Sequence, residues 1–297
     1  MLVPFKLLLI LFFFTIALYA EATGYIELGG IAMSQKSNTE PMLFHADKTL
    51  ISLDGGSMTQ KEVDPYVSFQ YITVLPDMTL TTTLNEEDKL SLRAEGDTLG
   101  TEVFIRPSYE FKNPYQLYTK RATTLVIETG IGGIYKVPLE KESSLEFAYI
   151  VSQKKVSDDE LGRQTPSLER DGYMHRAECS WTNNLFKVTT GAFTTQNMGS
   201  AENHKGADIK LTSVYTVDKM QIYGTATYAH IQYNDINPFF ETTRNQNTLK
   251  ASLSLEYDYS AIGYYTIIGV TANRQFSNIP FFNESINALF IGMGRNL

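Results

Sequence analysis

From Thr248 to Tyr259 the chain alternates at every position. Leu249, Ala251, Leu253, Leu255, Tyr257 and Tyr259 stand at odd positions, and Thr248, Lys250, Ser252, Ser254, Glu256 and Asp258 at even ones. Successive side chains of a strand point to opposite faces, so this segment has one apolar and one polar face. Val103 to Phe111 repeats the pattern, with Val103, Ile105, Tyr109 and Phe111 against Phe104, Arg106, Ser108 and Glu110. Tyr173 to Trp181 sets Tyr173, Ala177, Cys179 and Trp181 against Met174, Arg176, Glu178 and Ser180. Leu145, Phe147, Tyr149 and Val151 form a fourth apolar face. Lys219 to Tyr233 alternates poorly.

A soluble β-sandwich also alternates. Two features point to lipid instead. Aromatic residues sit near the ends of the apolar faces, as at Tyr109 and Phe111, Tyr173 and Trp181, and Tyr257 and Tyr259. That is the placement of aromatic girdles at the lipid–water boundary. The connections also alternate in length. Asn183-Asn184, Asp218 and Ser260-Ala261 are tight, while Ser157–Arg170, Met198–Gly206, Asn234–Asn247 and Ser277–Glu284 are longer and polar. Short periplasmic turns and longer outer loops give that rhythm.

The reading is an all-β chain forming a transmembrane antiparallel up-and-down β-barrel of about fourteen strands. Expected spans are 24–36, 64–75, 87–96, 101–111, 115–120, 124–136, 144–155, 171–182, 185–197, 207–217, 219–233, 248–259, 263–276 and 285–296. Twelve strands is the alternative, because Leu75 to Gln116 is hard to divide. An even count puts both termini on the periplasmic side, and closure removes the unpaired backbone edge that lipid cannot solvate.

The start of the chain fits export to an outer membrane of the Gram-negative type. Lys6 precedes an apolar run from Leu7 to Ala17, followed by Ala20-Glu21-Ala22. Those are the parts of a secretory signal peptide, cleaved after Ala22 or Ala20. The run is half the roughly 20 residues of a membrane helix. Residues 1–22 are therefore expected to be removed, leaving 23–297 as a single outer-membrane β-barrel domain. Cys179 is the single cysteine, so no internal disulfide forms, and the net charge of −8 argues against nucleic acid as a partner. Expected partners are outer-membrane lipid and lipopolysaccharide, and the machinery that inserts barrels. The last strand carries Gly292, where an insertion signal wants glycine, but ends in Leu297 rather than an aromatic residue, with Arg295 at a usually apolar place.

Three segments are the most distinctive: Asn237-Pro238-Phe239-Phe240 with Arg244, Phe281-Phe282-Asn283-Glu284-Ser285, and Arg170-Asp171-Gly172-Tyr173. With the strand order, they resemble a family of bacterial outer-membrane β-barrel proteins known as domain of unknown function family 2860. The resemblance spans most of the mature chain and is strongest from Asp171 onward. It implies the barrel and its location, and no chemistry.

Candidate chemistry is thin. A lipid hydrolase would need a Ser–His pair on the outer wall. His45 and His204 fall in expected loops, and no serine stands at a spacing that sequence alone would pair with His175 or His230. Asp158-Asp159-Glu160 lacks the spacing of a calcium loop and reads as a solvated loop tip. Gly130-Ile131-Gly132-Gly133 lacks the Lys-Ser/Thr of a phosphate loop. No enzyme activity and no cofactor or metal is expected. Phe239, Phe240, Phe281 and Phe282 are candidates for an outer aromatic rim, as girdle and loop packing or as a greasy loop folded into the lumen. The inward faces carry both charge signs. Candidate pore-lining residues are Arg93, Arg106, Glu128, Arg176, Glu178, Lys210, Lys250 and Glu256, with Glu95 and Asp258 beside them. They suit a channel for small solutes, the preferred reading, because fourteen strands leave room beyond side-chain filling. They also suit a structural or surface-interaction barrel with a plugged lumen. In the channel case, reversing Arg106 and Arg176 to Glu is expected to shift ion selectivity.

Overall fold

A computed structural model describes residues 23–39, 41, 50, 52–53, 59–85, 88–139, 142–259 and 263–297. The expected signal peptide, His45, the turn at Ser260-Ala261 and most of the first outer loop lie outside the described residues. Fourteen antiparallel strands close on themselves: β1 (Thr23–Lys36), β2 (Thr59–Val74), β3 (Thr79–Leu84), β4 (Leu90–Glu95), β5 (Leu99–Phe111), β6 (Thr123–Pro138), β7 (Ser144–Val156), β8 (Gly172–Thr182), β9 (Phe186–Asn197), β10 (His204–Val217), β11 (Met220–Asn237), β12 (Thr242–Tyr259), β13 (Tyr264–Ser277) and β14 (Glu284–Asn296). Each strand pairs with its neighbours in sequence, and β1 pairs with β14 from Tyr25↔Asn296 to Lys36↔Ser285. No helix among the described residues is long and apolar enough to cross a membrane.

The alternation resolves into an outside and an inside. Leu28, Ile131, Leu253 and Ile291 point outward and are more than half exposed. Along β12 the odd positions from Leu249 to Tyr259 are exposed, while the even ones from Ser252 to Asp258 are half-buried. An apolar exterior on a closed sheet is the surface a bilayer accepts.

The inner wall is built by close approach at glycine. The Tyr66 ring lies flat over Gly29 and Gly292, Tyr265 over Gly294, Phe290 over Gly269, Phe104 over Gly130 and Phe193 over Gly206. A Cβ on Gly292 would overlap the Tyr66 hydroxyl, so only glycine lets that ring cover the β1–β14 seam. The Tyr66 hydroxyl donates to Glu27 Oε1 at 2.5 Å and Tyr265 donates to Oε2 at 3.1 Å, which holds both rings across the seam. Gly292, expected to serve insertion, thus has a packing role here.

The count of fourteen stands, but two spans need correction. Residues 115–120 are not a wall strand. They lie in the β5–β6 connection, where Leu117 makes an isolated bridge to Leu50. Tyr115 and Leu117 alternate with polar residues because they turn toward a loop core. Conversely, Thr79–Leu84 forms β3, although its run of threonines alternates too weakly in polarity to be read as a strand. The region 234–247 is also less loop than expected. β11 and β12 run on past the expected ends and leave only residues 238–241 between them.

The lumen and its cap as a candidate functional site

One side of the inner wall carries a ladder of ion pairs from β4 to β10. Lys89 pairs with Glu102 at 2.6 Å and sits over the Phe104 ring at 4.4 Å. Arg93 bridges Glu95 at 2.5 Å and Glu146 at 3.0 Å, and Lys136 reaches Glu95 at 2.6 Å. Arg106 pairs with Glu128 at 2.5 Å, and Ser152 donates to the same carboxylate at 2.7 Å. Arg176 bonds Glu178 at 2.5 Å and holds Asp208 bidentately at 2.7 and 2.9 Å. To do so it crosses β9 over Gly191, where a Cβ would stand 3.0 Å from Asp208 Oδ1. Fixed forks of this kind orient charge well but add little net stability where the side chains are partly exposed.

The other side differs. Lys210 and Lys250 flank Thr227 in one row of the register, on β10, β11 and β12. Both are exposed on an inward face, outside the ladder. Toward the end of the barrel that carries both termini lie Glu256, Asp258 and the tyrosine-held Glu27. Behind β3 and β4 a polar cavity of about 320 Å³ is lined by Gln70, Thr81, Thr83, Ser91, Arg93 and Glu102 among others.

Above the lumen, the outer connections meet in one apolar core. It contains Leu50 from the β1–β2 connection, Tyr115 from β5–β6, Leu161 and Leu168 from β7–β8, and Ala201 from β9–β10. Ile279, Phe281 and Phe282 come from β13–β14, and Phe240 from β11–β12 packs against them. Tyr115 is the centre. It stacks on Phe239 at 4.3 Å and Phe281 at 5.3 Å, and meets Phe240 and Phe282 edge-on. Its hydroxyl accepts from Asn237 Nδ2 at 3.1 Å, and burial pushes its pKa up. β5 and β12 are seven places apart in a ring of fourteen, so they stand on opposite sides of the barrel. A contact between the loops that follow β5 and precede β12 must therefore span the mouth. These loops form a cap.

Polar clamps surround that core. Arg170 bonds Asp159 at 2.6 Å, Glu110 at 3.1 Å, and the carbonyls of Phe111 and Lys112 at 2.8 and 3.1 Å. Arg244 lies 3.5 Å over the Tyr233 ring and 4.1 Å over Phe282, and reaches Glu202 at 3.2 Å. Arg121 lies over Phe111 at 4.0 Å and donates to Asn38 O at 2.5 Å; burial pushes its pKa down to about 10, still charged at neutral pH. Asp159 caps the short helix α1 (Glu160–Gln164) by accepting from Gly162 N. Asp158 is bonded to Lys112 and Arg163, which hold its carboxyl below the usual range. The acidic run is thus tied into the cap by cations, and no group of three potential metal ligands occurs among the described residues.

All eight pore-lining candidates fall on inward faces. Arg93, Arg106, Glu128, Arg176 and Glu178 join the ladder, whereas Lys210, Lys250 and Glu256 lie outside it. The four phenylalanines stand in connections at the end of the barrel opposite the termini, and the two segments touch, with Phe240 5.3 Å from Phe281. The girdle reading does not describe Phe281 and Phe282, which are 1 % and 3 % exposed inside the cap. Sequence reasoning missed Tyr115, Glu146 as a shared anchor, Asp208, and Lys89 with Glu102. Asp208 was detectable as a charge at inward parity with Lys210. The described histidines bond other groups: His175 to Tyr149, His204 to Thr195 and His230 to Asn247.

Comparison with known sequences bears on these same parts. Residues 97–296 match the family described as protein of unknown function (DUF2860). The chain belongs to that family. The segments that carried the resemblance, with Arg170, Asn237, Arg244 and Phe281, build the cap. A search of curated proteins gave no match. Among solved structures, OccAB3 of Acinetobacter baumannii is similar at 8 % identity and a TM-score of 0.49, covering 93 % of this chain and 100 % of that one. OccK7 (OpdD) of Pseudomonas aeruginosa is similar at 7 % identity and a TM-score of 0.45, covering 93 % and 99 %.

Proposed function

We propose that the protein is an outer-membrane channel for small polar solutes, reached from outside on the β3–β4 side of a fixed cap. The carrying observation is an asymmetry of the outer connections. Those after β1, β5, β7, β9, β11 and β13 all supply side chains to the cap core or its packing, while the described residues of the β3–β4 connection supply none. β3 and β4 are also only 6 residues long, against 16 in β2 and 13 in β5. The wall is low there, and the polar cavity lies directly behind it. Lys210 and Lys250, exposed on an inward face, support a wet bore beyond that cavity. A preorganised row of charges then sorts solutes by charge as they pass.

The test is conductance in planar bilayers. With Cys179 replaced by Ser, a Ser91→Cys variant labelled with a charged thiol reagent is expected to conduct markedly less. The same label on Met198→Cys, at an outer position 68 % exposed, is expected to leave conductance unchanged. Absence of openings in every folded preparation would sink the proposal. Replacing Lys210 and Lys250 together by Glu is expected to shift the reversal potential toward cations several-fold. Reversing Arg106 or Arg176 is a poorer probe. Either change would set carboxylates against each other and loosen the wall.

The cap itself favours a second reading, a barrel with a closed lumen whose outer loops hold a partner. Under it, wild type and cap-opened variants are both silent in bilayers.

A further inference from the structure

The outer wall between β12 and β2 differs from the rest of the lipid-facing surface. The pairing register places three outward rows there. The lowest is Leu253, Val270, Leu289, Ala32 and Val63. The next is Ala251, Ala272, Asn287, Ser34 and Lys61, and the third is Leu249, Arg274, Ser285, Lys36 and Thr59. Small side chains in the middle row, above the bulky aliphatic residues of the lowest, leave a groove of about 1040 Å³. Ala251, Ala272, Leu253, Val270 and Leu289 line its apolar part, and Ser34, Asn287 and Lys61 its polar edge.

The charge here is one-sided. Arg274, Lys36 and Lys61 gather at the upper edge, and the three rows contain no carboxylate, on a chain whose net charge is −8. Arg274 is held in place, not loose. Its guanidinium donates to Asn273 O at 2.8 Å, Ile286 O at 3.0 Å and Asn287 Oδ1 at 2.8 Å. A guanidinium has five N–H donors, so its fork keeps hydrogens for a further acceptor, and phosphate fits that geometry. Height agrees as well. Arg274 is ten residues up β13 from Tyr264, the register partner of the expected girdle residue Tyr259. At a strand rise of about 3.3 Å and a tilt of about 40°, that is roughly 25 Å along the axis, the height of a barrel's apolar belt. The cations therefore stand where outer-leaflet headgroups begin, with the groove below them among the acyl chains.

We infer that this face binds a phosphorylated glycolipid of the outer leaflet, a lipid A, one acyl chain lying in the Ala251–Ala272 groove and a phosphate on Arg274 and Lys61. The inference rests on the outer-membrane placement proposed above but not on conduction. The site faces lipid, so a silent barrel would bind equally well.

The test uses the full mature chain in detergent and native mass spectrometry. Diphosphoryl lipid A is expected to bind as a single tight copy. Arg274→Gln with Lys61→Gln is expected to weaken it at least tenfold, with heat-modifiable gel migration unchanged. Ala272→Leu, which fills the groove, is expected to weaken it too. A second measurement needs no variant: dephosphorylated lipid A is expected to bind wild type at least tenfold more weakly. Equal binding of dephosphorylated lipid A or of phosphatidylglycerol would overturn the inference. So would inorganic phosphate competing as well as the lipid, since the acyl groove would then contribute nothing.

Discussion

Replacing Tyr115 and Phe281 together by Ala is expected to raise single-channel conductance several-fold while the barrel stays folded. Tyr115 is the residue through which loops from opposite sides of the mouth touch, and Phe281 is one of its two stacking partners. Truncating a buried aromatic residue costs about 3–5 kcal/mol. Two such losses exceed what the Arg170 and Arg244 clamps can hold together, because those clamps join neighbouring loops and none spans the mouth. The wall below is stabilised separately, by its continuous backbone pairing, so heat-modifiable migration should persist. Protease sensitivity of the loops would report that the cap has opened. An opened cap without any gain in conductance would reject the channel reading and leave the closed-lumen one.

The second large effect concerns the seam. Gly292→Ala is expected to abolish most of the folded, heat-modifiable form. The added methyl would meet the Tyr66 hydroxyl, which is itself fixed on Glu27. The ring could lift off only by breaking that bond, and it is packed just as closely over Gly29 in the same row of the wall. Overpacking usually costs about 1–3 kcal/mol, and here it falls on the closing pair of strands. Tyr66→Phe should restore part of the folded yield, because the next atom, Tyr66 Cζ, lies 3.1 Å from the added carbon. Wild-type yield from Gly292→Ala alone would show that the seam tolerates the methyl and that the ring packing is loose.

What the sequence made legible follows from which forces act locally. Strand faces such as Leu249 to Tyr259 are set by a period of two, which survives in any closed sheet. Inward placement of Arg106, Arg176 and Lys250 followed from the same parity. β3 was hidden because threonine suits a strand without marking either face. The false strand at 115–120 arose because Tyr115 and Leu117 alternate for a different reason, their burial in the cap. That core joins residues far apart in the chain, and no periodic signal announces it. Phe239, Phe240, Phe281 and Phe282 were visible as an unusual aromatic pair of segments. The tyrosine that binds them was not. The inward charges of both signs were legible, but not which of them pair, because partner choice depends on register between strands.

The wall also dictates an order of assembly. Every strand pairing but one joins neighbours in sequence, so hairpins from β1–β2 to β13–β14 can form with short loop closures. The remaining pairing joins β1 to β14, from Tyr25↔Asn296 onward, almost the full length of the described chain apart. Contacts of long range are paid for in chain entropy before they return any stabilisation, and they form slowly. β1 and β14 therefore stay as open edges until nearly the whole chain is in place, and an open edge invites pairing with other chains. The moment of greatest aggregation risk for this protein is thus its last folding step, and a catalyst that shields those two edges would act there.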